Sequence, residues 1–291
     1  MNKLITLFAV VLIHINSTNI FSQDIDPQTI VEEGKTLYRL EMAAWNGTDL
    51  FLEKYQDTDR VGGYLSYPED RHTKCIFFSR ADTSTILGTI TFDSTFAVQQ
   101  AKVNLEERSF TDLEKDLYDI RQQALAELNK DTLFKFYKNT SLNLIPLIRN
   151  KEKKVYILTG PQVSGVVIFG NDYLITFDEN NQVVEKKALH KNIISIPYGQ
   201  EDAEGNRAVG ATHSHSSETG DYITATDICT IMLYSKYAGW KTYEVISDNY
   251  LNLWDCEKNT LAIISRKALE KIRKHQENKK KDKKKRKKKK D

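Results

Sequence analysis

Long apolar runs are what this 291-residue sequence lacks most plainly. Past the first two dozen residues, no segment approaches the roughly 20 consecutive apolar residues that a membrane-spanning helix needs. Cysteine is scarce as well. Cys75, Cys229 and Cys256 are the three present, too few for the disulfide framework of a small secreted domain. In an oxidising compartment Cys229 and Cys256 could pair and leave Cys75 free, and three buried thiols suit the sequence equally. With 5 prolines and 13 glycines, collagen-like and low-complexity chains are excluded. No internal repeat is evident, which removes solenoids and propellers. What is present is enough for a core: 40% hydrophobic and 10% aromatic residues place the middle of the chain among folded proteins.

Charge is nearly balanced overall and very uneven locally. Residues 279–291 hold ten Lys and one Arg against two Asp, a local +9, so against a total of +2 the remainder carries −7. An acidic body with a basic tail is the result. Like charges at this density repel, and the tail is expected to be a disordered, solvated extension fraying from a helix over 265–276. Such a tail attracts anionic polymers and membrane surfaces, or serves solubility alone. It has no interleaved aromatics to stack on bases, so specific nucleic-acid recognition is not expected. At the other end, Lys3 precedes the apolar run 4–15, broken only by Thr6 and His14, and a polar stretch ends in Phe21-Ser22-Gln23-Asp24. That order is a signal peptide over 1–23, too short for a comfortable span, and implies an exported, periplasmic or extracellular protein.

Between the ends, the charged run 149–154 suggests a boundary. Ahead of it, Asp26-Pro27 opens a helix with Ile30, Leu37, Leu40 and Ala44 on one side. Strand-like segments follow at 62–67, 74–79, 86–92 and 97–105, and Thr111-x-x-Glu114 caps a second helix reaching about Asn129. This is an α+β N-terminal domain, 24–150, without a recognisable catalytic constellation. Behind the boundary, 154–158, 165–169, 173–177 and 182–189 read as strands, with a hairpin turn at 178–181. Strands at 241–246, 250–254 and 261–264 complete a second domain over 151–265, and 266–291 forms a helix end and the Lys-rich tail.

The chemistry concentrates in that second domain. Residues 209–212 read as a strand running into His213-Ser214-His215, and in a strand residues i and i+2 share a face, so both imidazoles can address one ion. After a polar loop, Thr224 is a plausible N-cap for a helix, with Asp227 in its first turn. Two imidazole nitrogens, one carboxylate oxygen and an open position for water make the usual set for a catalytic zinc. The same Thr224-x-x-Asp227 also fits a capping box, in which Asp227 only satisfies backbone N–H groups.

The stretch resembles the JAMM (MPN/JAB) metalloprotease family, whose signature is His-x-His, seven residues, Ser, two residues and Asp, with a glutamate from an earlier strand. The matching residues are His213, His215 and Asp227, with Thr224 in the position of the serine. Two departures stand out. The spacer from His215 to Thr224 is eight residues, and no clear counterpart of the glutamate precedes His213. The resemblance covers 153–265 and implies a mixed α/β, deaminase-related sandwich following the α+β region. It further implies zinc on His213, His215 and Asp227, Thr224 steadying an oxyanion, and hydrolysis of a peptide, isopeptide or other amide bond. In that family the glutamate takes the proton from zinc-bound water, so without it a site can hold metal and hydrolyse poorly. More loosely, the run from Phe169 to Leu174 is similar to exported proteins of Bacteroidetes-type bacteria, which implies no activity.

A substitute base would have to come from nearby. Glu218 and Asp221 lie in the loop between the histidines and the helix and would reach a bound water if the loop folds back. Asp172 sits in an apolar stretch and needs a partner if buried. Asp178 and Glu179 are read as turn residues, and His190 could supply a further nitrogen to the site or cap a hydrophobic face, the cap being the favoured reading. Three readings follow: an exported zinc hydrolase, a catalytically silent binding or scaffold module of the envelope, and a structural protein whose His-x-His is incidental.

Overall fold

The computed structural model describes residues 26–82 and 85–287. The expected signal peptide and the end of the tail lie outside the described residues. Helix α1 (Pro27–Lys54) starts where Asp26 accepts a hydrogen bond from the Gln28 amide at 3.1 Å, with proline in its first turn. A three-stranded meander follows, β1 (Val61–Glu69), β2 (His72–Ser79) and β3 (Thr85–Phe92), with the short β4 (Lys102–Asn104) and β5 (Arg108–Ser109) both pairing with β3. Helix α2 (Asp112–Leu128) begins in the expected capping box between Thr111 and Glu114. Then come β6 (Thr140–Arg149), β7 (Glu152–Pro161), β8 (Val166–Gly170), β9 (Tyr173–Phe177), β10 (Val183–Ala188), β11 (Ile193–Pro197) and β12 (Gly210–Ser214). Helix α3 (Ala225–Ala238), strands β13 (Thr242–Ile246), β14 (Tyr250–Asp255) and β15 (Thr260–Ser265), and helix α4 (Arg266–Lys287) complete the chain.

The result is a mixed α/β architecture, an N-terminal helix followed by several largely antiparallel sheets, compatible with an α+β class. A second sheet runs β10-β9-β7-β6, β8 pairs with β11, and a last sheet runs β12-β13-β14-β15. In that last sheet β12 and β13 are parallel. Parallel neighbours need a crossover, and α3 is it.

Helix α1 holds these layers together. Its C-terminal half lays Ala43, Leu50 and Phe51 on the first sheet, against Phe77 and Phe92. Its middle places Leu37 and Leu40 against Ile145, Tyr156 and Leu158 of the second sheet and against Cys229 and Leu233 of α3. Near its start, Val31 joins Ile228, Tyr243 and Trp254 beneath the last sheet. Leu37 and Leu40 are 0% and 1% exposed, and burial of each contributes about 2 kcal/mol. Helix α2 bridges in the same way, packing Leu117 with the first sheet and Ile120, Ala124 and Leu128 with the second.

The charged run 149–154, expected to mark a boundary, forms a hairpin between β6 and β7. Arg149 pairs with Glu152 across a tight hairpin turn, and Asn150 and Lys151 take the positive φ that such a turn requires. The charge there is turn chemistry, and the sheet is continuous across it. Three strands carry no clear sequence pattern: β6, β11 and the two-residue β5. Strand β6 contains Pro146, which is tolerated because β6 lies at the edge of its sheet. The short β11 pairs with β8 in a two-stranded sheet. The tail also differs from expectation: α4 continues into the lysine block as far as Lys287. Lysine is a good helix former, and ion pairs such as Lys274 Nζ to Glu270 at 2.7 Å support the earlier turns. All three cysteines are free, so Cys229 and Cys256 are not bridged. Among the described residues, no helix is long and apolar enough to cross a membrane.

Candidate metal centre

Three segments deliver the site. Strand β12 and its extension alternate exposed and buried residues, so His213 and His215 both turn inward, each 6% exposed, while Ser214 faces solvent. The His215 amide continues the pairing by donating to the Ile246 carbonyl at 2.9 Å. Helix α3 starts against the end of that strand and brings Asp227, 1% exposed. The linker between β10 and β11 brings His190, 7% exposed. That linker can come close because residue 170 is glycine: with φ of +76°, a Cβ there would stand 2.1 Å from the Asn192 carbonyl oxygen. The Leu189 amide is anchored on the Asp172 carbonyl at 2.8 Å.

The four side chains converge. One donor atom from each of His190, His213, His215 and Asp227 lies within 4.8 Å of the other three. His190 Nε2 and His213 Nε2 stand 3.3 and 3.5 Å from Asp227 Oδ1, and His215 Nε2 stands 3.2 Å from Asp227 Oδ2. For a zinc ion bound at 2.0–2.1 Å, the edge of the ligand tetrahedron is about 3.3 Å. The His190 and His213 separations from Asp227 Oδ1 are close to such an edge, while the four donors as a group are held only within 4.8 Å.

Asp227 fills one of the roles that the sequence leaves open, the cap, and is placed where it could fill the other. Its Oδ2 accepts from the Thr224 amide at 2.9 Å and the Thr224 hydroxyl at 2.8 Å, while its amide donates back to Thr224 Oγ1 at 3.0 Å, which is the capping box. Its Oδ1 is buried with no hydrogen-bond partner, as are His190 Nε2 and His213 Nε2. An unsatisfied buried polar atom costs about 1–3 kcal/mol. Three of them aimed at one another indicate a group that could hold a metal ion; the donor set carries that inference.

Of the outer ring nitrogens that of His213 is hydrogen-bonded, in the manner of a metal-bound imidazole, whereas His190 Nδ1 and His215 Nδ1 have no hydrogen-bond partner among the described residues. His213 Nδ1 is 3.0 Å from the Tyr243 hydroxyl, and His190 Nδ1 faces Asp172 Oδ2 at 3.5 Å. Asp172 is fixed in turn by the Thr159 amide, which donates to its Oδ1 at 3.0 Å. Charge is arranged to match. Burial opposes a proton on His190, but Asp227 and Asp172 outweigh it and lift its pKa to about 10. Burial drives His213 down to about 4, with His215 and His190 acting in the same sense. Burial would raise Asp227, yet the surrounding imidazoles hold it well below the usual carboxylate range. The pocket thus keeps an anion, a neutral imidazole and one proton that a cation can displace.

Of the residues expected at the site, the structure brings together His213, His215 and Asp227, with Thr224 bonded to Asp227. It adds His190, for which the sequence favours a cap over a further ligand. It places Glu218 apart, exposed and paired with Lys191 at 3.3 Å. A cavity of about 190 Å³ has Glu218, Thr219 and His190 in its wall. Asp221 is engaged by Asn249 at 2.9 Å on the surface. Glu179 and Asp178 sit in the turn before β10, where Asp178 accepts from the Asn180 and Gln182 amides. The signal that could have exposed His190 was Asp172, an acid in an apolar stretch whose partner it is. No family model, no curated protein and no solved structure matches the chain.

Proposed function

We propose that this chain is a zinc metalloprotein with a JAMM-like arrangement of His-x-His strand and helix-start aspartate, acting as a binding or scaffold module outside the cell rather than as a hydrolase. The observation that carries this reading is His190. Two histidines and one carboxylate would leave a position for water, as in catalytic zinc sites. A third imidazole within 4.8 Å of the others makes four protein donors, the closed set of a structural zinc. No acid stands ready as a base: Asp172 is committed to Thr159 and His190, and Glu218 is exposed. Thr224 spends its hydroxyl on Asp227. Bound there, the ion would supply cross-linking of β12, α3 and the β10–β11 linker. Export, and contact of the Lys-rich tail with anionic polymers or membrane surfaces, belong to the same proposal.

The hydrolytic reading is favoured by one feature, the cavity that reaches His190 with Glu218 in its wall. In that reading His190 gives up its position to water, Glu218 is the base and an amide is the substrate. Cobalt substitution separates the two. A closed site gives a tetrahedral visible spectrum that is unchanged between about pH 6 and pH 9 and on addition of acetohydroxamate. A spectrum that shifts with pH and with the hydroxamate would establish an open position and favour the hydrolase.

A further inference from the structure

Away from the metal centre, a cavity of about 440 Å³ lies where α1, β1, the β6–β7 hairpin and α3 meet. Glu41 lines it from α1, only 6% exposed, beside Trp45 one turn along the same helix. Tyr64 comes from β1 and Tyr234 from α3. The rings of Trp45 and Tyr234 meet edge to face, with centroids 5.7 Å apart and planes at 70°.

Among the described residues Glu41 has no cationic partner; the Arg121 guanidinium acts on Tyr64 and not on Glu41. Both of its oxygens lie 2.7 Å from Asn143 Nδ2, and the Asn143 carbonyl oxygen accepts from the Tyr64 hydroxyl at 3.4 Å. Of the described residues that line the cavity, Glu41 alone is ionisable to a charge of either sign near neutrality. The other titratable groups that feel its charge are Tyr64 on β1, Cys75 on β2, and Cys229 and Tyr234 on α3, all neutral acids. A buried carboxylate normally finds a positive partner or a metal. Among the described residues no such partner reaches Glu41, and three aromatic side chains, a class that attracts cations through its quadrupole, line the same cavity.

We propose that this cavity binds a small organic ammonium ion, with Glu41 as counter-ion and Trp45, Tyr64 and Tyr234 as the aromatic walls. The volume is that of a small-molecule site. Asn143, bonded on one side by Tyr64, holds the carboxylate in place for the ligand. Burial pushes the Glu41 pKa up to about 7, with the Asn143 hydrogen bond opposing, so the cavity without a ligand keeps a proton part of the time and an arriving cation expels it. This inference is independent of the metal reading, because none of its residues is a candidate metal ligand.

The test is calorimetric titration of the full chain with choline and with phenethylammonium, beside the neutral isostere 3,3-dimethylbutanol. Expected are saturable binding of at least one cation, at least tenfold tighter than the alcohol, and release of about half a proton at pH 7, seen as a dependence of the heat on buffer. Glu41→Gln, which keeps the shape, should weaken cation binding at least tenfold, and Trp45→Leu several-fold, with the melting temperature reporting that each variant is folded. The proposal is overturned if neither cation binds the folded wild type, or if the alcohol binds as well. It is equally overturned if a folded Glu41→Gln or, failing that variant's folding, Trp45→Leu binds as the wild type does.

Discussion

Asp227 divides its two oxygens between architecture and chemistry. Oδ2 closes the capping box with Thr224, and Oδ1 turns to His190 and His213. An acid in the first turn of a helix is ordinary, so the sequence alone cannot separate cap from ligand. The histidine face of β12 was legible from its period of two, whereas His190 enters the site only through a linker that no sequence pattern joins to residue 213. Residues behind the donors give the first prediction. Tyr243→Phe removes the hydroxyl 3.0 Å from His213 Nδ1, and Asp172→Asn removes the charge facing His190. Each should weaken zinc binding about 10–100-fold in a chelator competition, and full affinity in both would detach these residues from the site. A second prediction concerns Glu114, which is fully buried and accepts from both terminal nitrogens of Arg108 and from Tyr67. Burial opposes its ionisation, but Arg108, the Thr111 amide and Tyr67 outweigh it and hold the pKa at about 2. A depressed folded pKa means the contribution is present above the ordinary glutamate value of 4.5 and fades as pH falls from there through about 2. With the partly exposed Arg108 discounted, it is worth on the order of 2 kcal/mol. Between pH 5 and pH 2, urea denaturation should show a steeper loss of stability for wild type than for Glu114→Gln; parallel curves would contradict it.

Helix α1 is the element on which the architecture depends, since it packs into the cores against the first, second and last sheets. It crosses α3 closely because residue 34 is glycine: a Cβ there would stand 2.7 Å from Ile228 Cβ and 3.0 Å from the Ala225 carbonyl. Gly34→Ala gains roughly 1 kcal/mol of helix propensity and meets a β-branched side chain and a backbone oxygen that cannot move aside cheaply. The net should be a loss of about 1–3 kcal/mol, seen as a lower melting temperature. Because Ile228 neighbours Asp227, zinc affinity should fall with it. A variant as stable as wild type would show that the crossing yields. At this scale the sequence was informative wherever a cap or an alternation marked the element, as at Asp26, Thr111 and Thr224. It is silent on β6, where Pro146 hides an edge strand, and on the hairpin at 149–154, whose charge belongs to a turn.

At the scale of the whole molecule, order along the chain does not reveal which layers share a core. Val31 and Trp254 lie more than two hundred residues apart and belong to one cluster. The charge asymmetry, by contrast, is visible without a fold: +9 over residues 279–291 against −7 elsewhere. Removing residues 279–291 should largely abolish salt-sensitive binding to anionic vesicles, since each lost lysine removes an electrostatic contact, and binding retained at low salt would place the contact elsewhere. The measurement that bears most directly on the whole account is the metal content of the purified chain by elemental mass spectrometry, wild type beside His213→Ala and His190→Ala. Close to one zinc per chain in the wild type, lost in His213→Ala and sharply reduced in His190→Ala, is the expected result. A wild type that takes up no metal when supplied with zinc would contradict the metal centre, and full occupancy in His190→Ala would contradict the four-donor site.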